Sequence, residues 1–279
     1  MNVLAAPIIA VVAGWLWPPP DASYQGAILA LAALAPELWR AAGAFSPRLA
    51  VRLHRGAGQS VFALAAWAGL LAAGFHRFDP RPAFGTAVLL AALGVFVHAG
   101  VHFASPSGLA LLGRRRFGLP LFAPQDATLV VLPTLALGLG AGWPDARLPI
   151  SIATCLLLLY AAGLRMSMRA RAEKLGALAF GGASVGTFPT PWSPFRWLCV
   201  SSDLRVAVVN AGKKSVGDIR RYEPPTEGEI VATMREAGSI PAKGEGAWIV
   251  DLRYAYPWPS VVAGVEVGAD GKPRRARLP

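Results

Sequence analysis

The stretch AFGTAVLLAALGVFVHAGVHFA, residues 83–104, decides the class of fold. It is apolar throughout and carries no Asp, Glu, Lys or Arg, and about 20 such residues are enough for a helix to cross a bilayer. His98 and His102 stand four positions apart near its end, so both imidazoles would lie on one face of the helix. The stretch therefore predicts a membrane helix with two titratable groups on one side.

The composition of the whole chain supports a membrane protein. Hydrophobic residues make up 54% of the 279 positions, charged residues only 15%, and the mean hydropathy is +0.45. These values are too apolar for an ordinary soluble domain. The two cysteines, Cys155 and Cys199, are far apart and fit neither a disulfide framework nor a metal motif, so we interpret them as structural thiols.

Six apolar runs, each closed by Pro, Gly or a charge, predict an α-helical bundle of about six transmembrane helices. The runs cover residues 3–17, 25–39, 60–75, 84–104, 127–143 and 148–165. Several are shorter than the roughly 20 residues of a full span, so we expect extended, tilted or partial spans. The first run lacks a basic start and a small-residue cleavage site, which favours a retained helix over a signal peptide.

The distribution of the net charge of +11 predicts an orientation. The positive-inside rule places both termini and the basic loops in the cytoplasm, as in a multi-pass protein of a bacterial-type inner (plasma) membrane. Because the basic residues flank apolar runs without interleaved aromatics, the bilayer is the expected partner and nucleic acid is not. These basic residues are Arg40, Arg48, Arg52, Arg55, Arg114, Arg115, Arg116, Arg165, Arg169, Arg171 and Lys174.

The character of the chain changes towards the C-terminus. We predict a transmembrane domain over residues 1–175, a linker over 176–190 and a small cytoplasmic α+β domain over 191–279. RWLCV, RVAVVN, AWIVDLRYAY and SVVAGVEV are β-type runs, and Asp270-Gly271 is a hairpin signal. Thr226 and Glu229 form a capping box for a helix that Gly238 would close.

Five polar side chains at the cytoplasmic ends of the predicted helices form a second unusual feature; they are Glu37, His54, His98, His102 and Asp126. Ionisable groups at such depth are costly and are functional candidates for that reason. Imidazole and carboxylate together suit a divalent transition metal such as Zn, Mn or Fe. Such an ion lowers the pKa of a bound water to about 7, which makes hydroxide available for hydrolysis.

Several of these residues also have an ordinary structural interpretation. Asp126 could equally be the N-cap of the fifth helix. A histidine near a helix end is often interfacial, which is the interpretation we favour for His76. Arg114 and Arg115 could mark the topology or clamp a phosphate or lipid headgroup.

An ordered set of short motifs resembles the YdjM/DUF457-type inner-membrane family of metal-dependent hydrolases. HRGAGQS, residues 54–60, resembles the HRGxTHS signature, and Pro36-Glu37-Leu38-Trp39 resembles a Pro-Asp-x-Asp segment. His98 to His102 with the following SPSG resembles a His-xxx-Asp element with its turn, and a later Asp corresponds to Asp126. PTPWSPFRW at 189–197 and VDLRY at 250–254 resemble the tail of some members, so the resemblance extends over nearly the whole chain.

The chain departs from that pattern at four positions. Gln59, Trp39, His102 and Ala6 stand where the family has a histidine, an acidic residue, an aspartate and a histidine, respectively. His102 in place of an aspartate keeps a ligand but removes a negative charge, which favours softer cations.

The resemblance implies a membrane-bound metal-dependent hydrolase that acts on a phosphoester or other ester, such as a lipid, at the cytoplasmic face. The expected metal ligands are His54, His98, His102 and Asp126, with Glu37 as ligand or general base and Arg55, Arg114 or Arg115 as anion-binding groups. We expect the histidine face to turn into the bundle and Gln59 to point into the same cavity. The alternative is a catalytically inactive relative that serves as a membrane scaffold or binds a partner.

Overall fold

The computed structural model describes most of the chain, and every structural statement below refers to this part of it. The described residues are 4–16, 24–38, 60–81, 83–106, 108–110, 116–123, 126–183, 185–191, 193–236, 239–244, 247–254, 263–268 and 273–277. Each predicted apolar run corresponds to one helix. The six helices are α1 (Ala5–Gly14), α2 (Gln25–Leu34), α3 (Val61–Phe78), α4 (Phe84–Phe103), α5 (Ala127–Gly142) and α6 (Arg147–Ala179), of which α3 and α6 extend beyond their runs.

Three of these helices are long and apolar enough to cross a membrane: α3, α4 and α6 with its preceding 3-10 turn. The other three are shorter, although a 3-10 turn extends α2 to Leu38. A helix of ten residues, such as α1, rises only about 15 Å, which is half of the hydrocarbon core. The prediction of about six transmembrane helices is therefore not supported, and the described part of the chain shows three candidate spans.

The bundle places small residues inside and large apolar residues outside. Its core contains many alanines, including Ala32, Ala33 and Ala91, which lets helices pack closely. Phe96 of α4 and Leu159 of α6 are 73% and 68% exposed on the surface. Large apolar side chains on the outside are what a surrounding of lipid tails allows and water does not.

Helix α6 joins the bundle to the C-terminal region without a break. Its 33 residues rise about 50 Å, more than a hydrocarbon core needs. The extra turns pack on a sheet, where a Cβ on Gly176 would lie 2.9 Å from Cys199 Sγ. Residues 176–190 were predicted as a linker. They contain the end of α6 and also the first strand of that sheet, Val185–Pro189.

The C-terminal region contains two antiparallel sheets and one helix, and a short hairpin, β1 (Leu109–Ala110) with β2 (Arg116–Phe117), precedes them in the chain. The first sheet has the order β3-β4-β5-β6, with β7 also paired to β5, and the second has the order β11-β10-β9-β8. The strands are β3 (Val185–Pro189), β4 (Arg196–Ser201), β5 (Arg205–Asn210), β6 (Ser215–Val216), β7 (Arg220–Arg221), β8 (Pro241–Lys243), β9 (Trp248–Asp251), β10 (Gly264–Val267) and β11 (Pro273–Arg277), and the helix is α7 (Glu229–Glu236).

Alternation along β4 explains how these layers stack. Trp197 and Cys199 pack in a cluster with α6, whereas Leu198 and Val200 pack in a cluster with the second sheet. Side chains of a strand point alternately to opposite faces, so the first sheet is buried on both sides. Helix α7 covers the second sheet through a separate apolar cluster.

The four β-type runs of the sequence correspond to β4, β5, β9 and β10. Helix α7 begins at Glu229, which is later than a cap at Thr226 predicts, and the amide of Ala232 donates to the carbonyl of Gly228 in its first turn. Gly238 and the Asp270-Gly271 turn lie outside the described residues. Strand β10 nevertheless pairs with β11 in antiparallel register, as a hairpin at that place requires.

Candidate metal centre

The candidate site is built on the contact between α2 and α4, and Gly94 sets how close these helices come. A Cβ on Gly94 would lie 2.6 Å from the carbonyl oxygen of Leu29 and 2.8 Å from Cβ of Ala32. Distances below 3.0 Å are not seen for real Cβ atoms, so only glycine fits here. The two helix backbones are therefore in direct contact at this level.

One turn further along both helices, this close approach produces a hydrogen bond. The ring nitrogen Nδ1 of His98 lies 2.9 Å from the carbonyl oxygen of Ala33. Since a carbonyl can only accept, Nδ1 of His98 donates the proton of this hydrogen bond, which makes Nε2 the ring nitrogen suited to bind a metal.

A second turn further, the next pair meets. The nitrogen Nε2 of His102 lies 3.0 Å from Oε1 of Glu37. The contacts Leu29 with Gly94, Ala33 with His98 and Glu37 with His102 all join residues 65 positions apart. A constant offset means that α2 and α4 run in parallel and in register, so repeats of four residues on one helix meet repeats of four on the other.

The three polar side chains form one compact, buried group. His98 is 0% exposed, His102 is 1% exposed and Glu37 is 5% exposed. The two imidazole centroids lie 4.5 Å apart, and one ligand atom from each of the three side chains lies within 4.8 Å of the others. The histidine face of α4 is turned into the bundle, as the sequence predicted.

These three side chains are of the types that could hold a divalent metal ion. Ligand atoms about 2.0 to 2.2 Å from a tetrahedral ion lie about 3.3 to 3.6 Å from one another, so the 3.0 Å contact between His102 and Glu37 is a few tenths of an ångström shorter than a shared ion requires. Two histidines and one glutamate are a ligand set of catalytic zinc sites, in which a water takes the fourth position. The carbonyl of Ala33 behind His98 is the kind of partner that orients a metal-bound imidazole.

Asp126 does not belong to this group, and the expectation that it is a ligand is replaced by a structural role. Its Oδ1 accepts the amide of Thr128 at 3.0 Å, which makes it the N-cap of α5. Its Oδ2 lies 2.6 Å from Nη2 of Arg165, and both side chains are buried. The carboxylate of Asp126 is thus held by the start of α5 and by the Arg165 guanidinium. It lies outside the cluster of candidate ligand atoms.

Sequence reasoning missed the role of Arg165. We interpreted it as a topology determinant, but its side chain is 3% exposed and its guanidinium lies 4.9 Å from the centre of the Phe122 ring. The sequence signal was an arginine near one apolar run and an aspartate at the start of another, because two charges that become buried are expected to pair.

The role of Arg253 was also missed, although its VDLRY motif was noted. Its guanidinium makes two-pronged contact with Asp251, with distances of 2.7 to 3.2 Å. Burial works to lower the pKa of Arg253, but the Asp251 carboxylate and Tyr254 together outweigh it and raise that pKa above its usual value. Nη1 of the same side chain donates at 2.9 Å to the carbonyl of Pro106, in the turn that follows α4.

Several predicted site residues lie outside the described part of the chain: His54, Arg55, Gln59, Arg114 and Arg115. Their predicted roles therefore stay predictions. Ser60, the last residue of the HRGAGQS motif, is described; it caps α3, and its Oγ accepts the amide of Ala63 at 3.3 Å. His76 packs edge-on against Phe84 at the other end of α4.

Comparisons with known proteins do not assign this chain to a family. No family model matches it, and neither a curated protein nor a solved structure does. The resemblance to the YdjM/DUF457-type family is neither supported nor refuted by them.

Proposed function

We propose that Glu37, His98 and His102 bind one divalent transition metal and that the protein is a membrane-bound metal-dependent hydrolase. The observation that carries this proposal is the buried cluster of three ligand atoms within 4.8 Å, with the His98 ring already oriented by the carbonyl of Ala33. Zn, Mn and Fe are the metals that two imidazoles and one carboxylate suit best.

The bound ion would supply a water with a pKa near 7 and so a nucleophile for hydrolysis at neutral pH. Glu37 has two roles open to it: as third ligand through Oε1, or as general base for that water if the histidines hold the ion. The substrate class that we propose is a phosphoester or other ester, in a lipid or in a molecule at the membrane surface. Arg55, Arg114 and Arg115 are proposed to bind the anionic group of the substrate.

We further propose that the site faces the cytoplasm of a cell with a bacterial-type inner membrane, in a multi-pass protein with both termini inside. Two contacts support a common face for the site and the C-terminal sheets. Helix α6 runs directly into the first sheet, and Arg253 reaches the turn at the end of α4, beside His102. The basic residues after α6, such as Arg169 and Arg171, are typical of a cytoplasmic flank.

The metal content of the purified protein tests this proposal. Detergent-purified protein should contain about one transition metal ion per chain by elemental analysis, and the double variant His98→Ala, His102→Ala should contain none. The matched control is His76→Ala, because His76 is the other described histidine and lies away from the cluster; its metal content should equal that of the unchanged protein. An unchanged protein that stays metal-free after incubation with Zn, Mn and Fe would contradict the proposal.

Hydrolysis is tested separately from binding. A chromogenic phosphodiester and a chromogenic carboxylic ester should each be tried with the metal-loaded protein in micelles. We expect turnover of at least one, lost in Glu37→Gln whether Glu37 is ligand or base. Metal content of the same variant then separates the roles: Glu37→Gln loses the ion if Glu37 is a ligand and keeps it if Glu37 is only the base.

A scaffold without catalysis is the second candidate, and a specific observation favours it. Both imidazoles already have protein partners: His98 contacts the carbonyl of Ala33 in α2, and His102 contacts Glu37. The cluster could therefore serve only to hold α2 against α4. A buried polar network of that kind specifies helix register. In that case the double variant would lose thermal stability in micelles, and added metal would leave the stability of the unchanged protein as it was.

A further inference from the structure

The C-terminal sheets reach the candidate metal centre through one buried arginine. Arg253 lies in a 3-10 turn that follows β9, and its side chain is 5% exposed. Asp251 binds it through both carboxylate oxygens, and Ser239 Oγ accepts from Nη2 at 3.2 Å. A guanidinium is planar and always charged, so these contacts fix the direction in which its remaining nitrogen points.

That remaining nitrogen, Nη1, points at the turn that follows α4. Nη1 of Arg253 donates at 2.9 Å to the carbonyl of Pro106, a residue 147 positions earlier in the chain. The neighbouring Ser105 donates its hydroxyl at 2.8 Å to the carbonyl of His102. Two hydrogen bonds and the short peptide segment from Ser105 to Pro106 thus join Arg253 to the backbone of a candidate ligand.

A backbone carbonyl as the target has a specific consequence. A bond to Pro106 fixes the path of the chain as it leaves α4, whereas a bond to a side chain would fix only a rotamer. The His102 ring takes its position from the last turn of α4, and the 3.0 Å contact of its Nε2 with Glu37 depends on that position. A metal site loses affinity when a ligand is displaced, because bond lengths vary by only about 0.2 Å.

We infer that Arg253, held by Asp251, is a positioning residue for the metal centre, so that docking of the C-terminal sheets sets the geometry of His102. This inference rests on the proposed metal site. It assigns the C-terminal region a role in tuning the membrane-embedded site. Contact partners behind a ligand typically contribute 10- to 100-fold to metal affinity, and we expect about tenfold here, the lower end, because the path includes two bonds.

The test uses Co(II), whose visible absorption reports the number and geometry of its ligands, with the full-length protein in micelles. Arg253→Lys keeps the charge beside Asp251 but cannot hold the carboxylate with two nitrogens and also reach Pro106. We expect it to weaken Co(II) binding about tenfold and to change the absorption bands. Ser105→Ala cuts the same path at its other bond without touching the sheets, and it should act in the same direction.

Arg205→Lys is the matched control. Arg205 also pairs with an aspartate two residues before it, at 2.7 Å from Asp203, and also donates to a backbone carbonyl, that of Phe180 at 2.9 Å. Its carbonyl partner lies at the end of α6 and not at the metal centre. Co(II) binding and absorption should therefore be unchanged in Arg205→Lys.

The outcomes separate this inference from the proposed function. If the unchanged protein binds no Co(II), the metal centre itself is wrong and the inference falls with it. If the unchanged protein binds Co(II), but Arg253→Lys and Ser105→Ala bind it with the same affinity and spectrum, only the inference is overturned. Equal loss in Arg253→Lys and Arg205→Lys would also overturn it, and if Arg253→Lys does not fold, Ser105→Ala decides.

Discussion

Gly94→Ala should separate α2 from α4 and weaken the candidate site without changing any polar residue. The added Cβ would lie 2.6 Å from the Leu29 carbonyl oxygen, whereas ordinary contact begins at 3.4 Å. Relief of that clash moves the helices about 0.8 Å apart, since both atoms belong to rigid backbone. The same shift lengthens the 2.9 Å bond from His98 to Ala33 to about 3.7 Å, which is beyond hydrogen-bond range.

The expected cost is about 1 to 3 kcal/mol in the free energy of unfolding, the usual range for overpacking a well-packed core. Gly100→Ala is the matched control, because Gly100 lies in the same helix and a Cβ there meets nothing within 4 Å. Alanine favours a helix over glycine by up to about 1 kcal/mol, a gain common to both variants. Denaturant titration in micelles and Co(II) affinity measure the two effects.

We expect Gly94→Ala to fall below the unchanged protein in stability and Co(II) affinity, and Gly100→Ala to equal or exceed it. Equal stability and equal Co(II) affinity in the two variants would refute the reasoning, because the helices would then not be in backbone contact. A loss of stability in Gly94→Ala with unchanged Co(II) affinity would show that the contact exists but does not position His98.

Three further predictions concern the rest of the molecule. Asp126→Ala should destabilise the protein by about 3 to 5 kcal/mol, because it leaves the Arg165 charge buried without its partner, while metal content per folded chain stays the same. The double change Asp126→Leu, Arg165→Met should recover most of that loss in denaturant titrations. Gly176→Ala should loosen the contact of α6 with the first sheet, because the added Cβ would lie 3.0 Å from Cβ of Cys199. Trypsin should then cut the C-terminal region faster than in the control Gly163→Ala, because a Cβ on Gly163 meets nothing within 4 Å. Burial raises the pKa of the Cys199 thiol to about 12, so it stays protonated at pH 8 and should resist maleimide until the protein is unfolded; labelling of the native protein as fast as of the denatured one would contradict this.

The helices of the bundle were predictable because each is a run of apolar residues closed by a clear break. The number of membrane crossings was not, because it depends on length, and α1 and α2 each have only ten α-helical residues. The continuation of α6 through residues 166–179 was also missed. Its polar residues look like the end of a span, but the turns packed on β4 are stabilised by contacts with residues distant in sequence.

For the site, the sequence identified three of the residues that meet but not how they meet. The spacing of His98 and His102 placed both on one face, and burial cost predicted that this face turns inward. That Glu37 is the carboxylate partner, and Asp126 is not, depends on which helices touch and in what register. Asp126 and Glu37 look alike as single acids near helix ends, and only the position of Arg165 and of the α5 amides distinguishes them.

The parallel register of α2 and α4 also bears on the HRGAGQS motif. Helices α3 and α4 are joined by the short segment 79–83, and so short a connection makes them antiparallel neighbours. The start of α3 therefore lies at the end of the bundle where α4 finishes. Ser60, the last residue of the motif, caps that start and therefore lies at the same end of the bundle as Glu37 and His102. The turn that carries Glu37, the end of α4 and the start of α3 thus lie at one end of the bundle, the end where Arg253 contacts the carbonyl of Pro106.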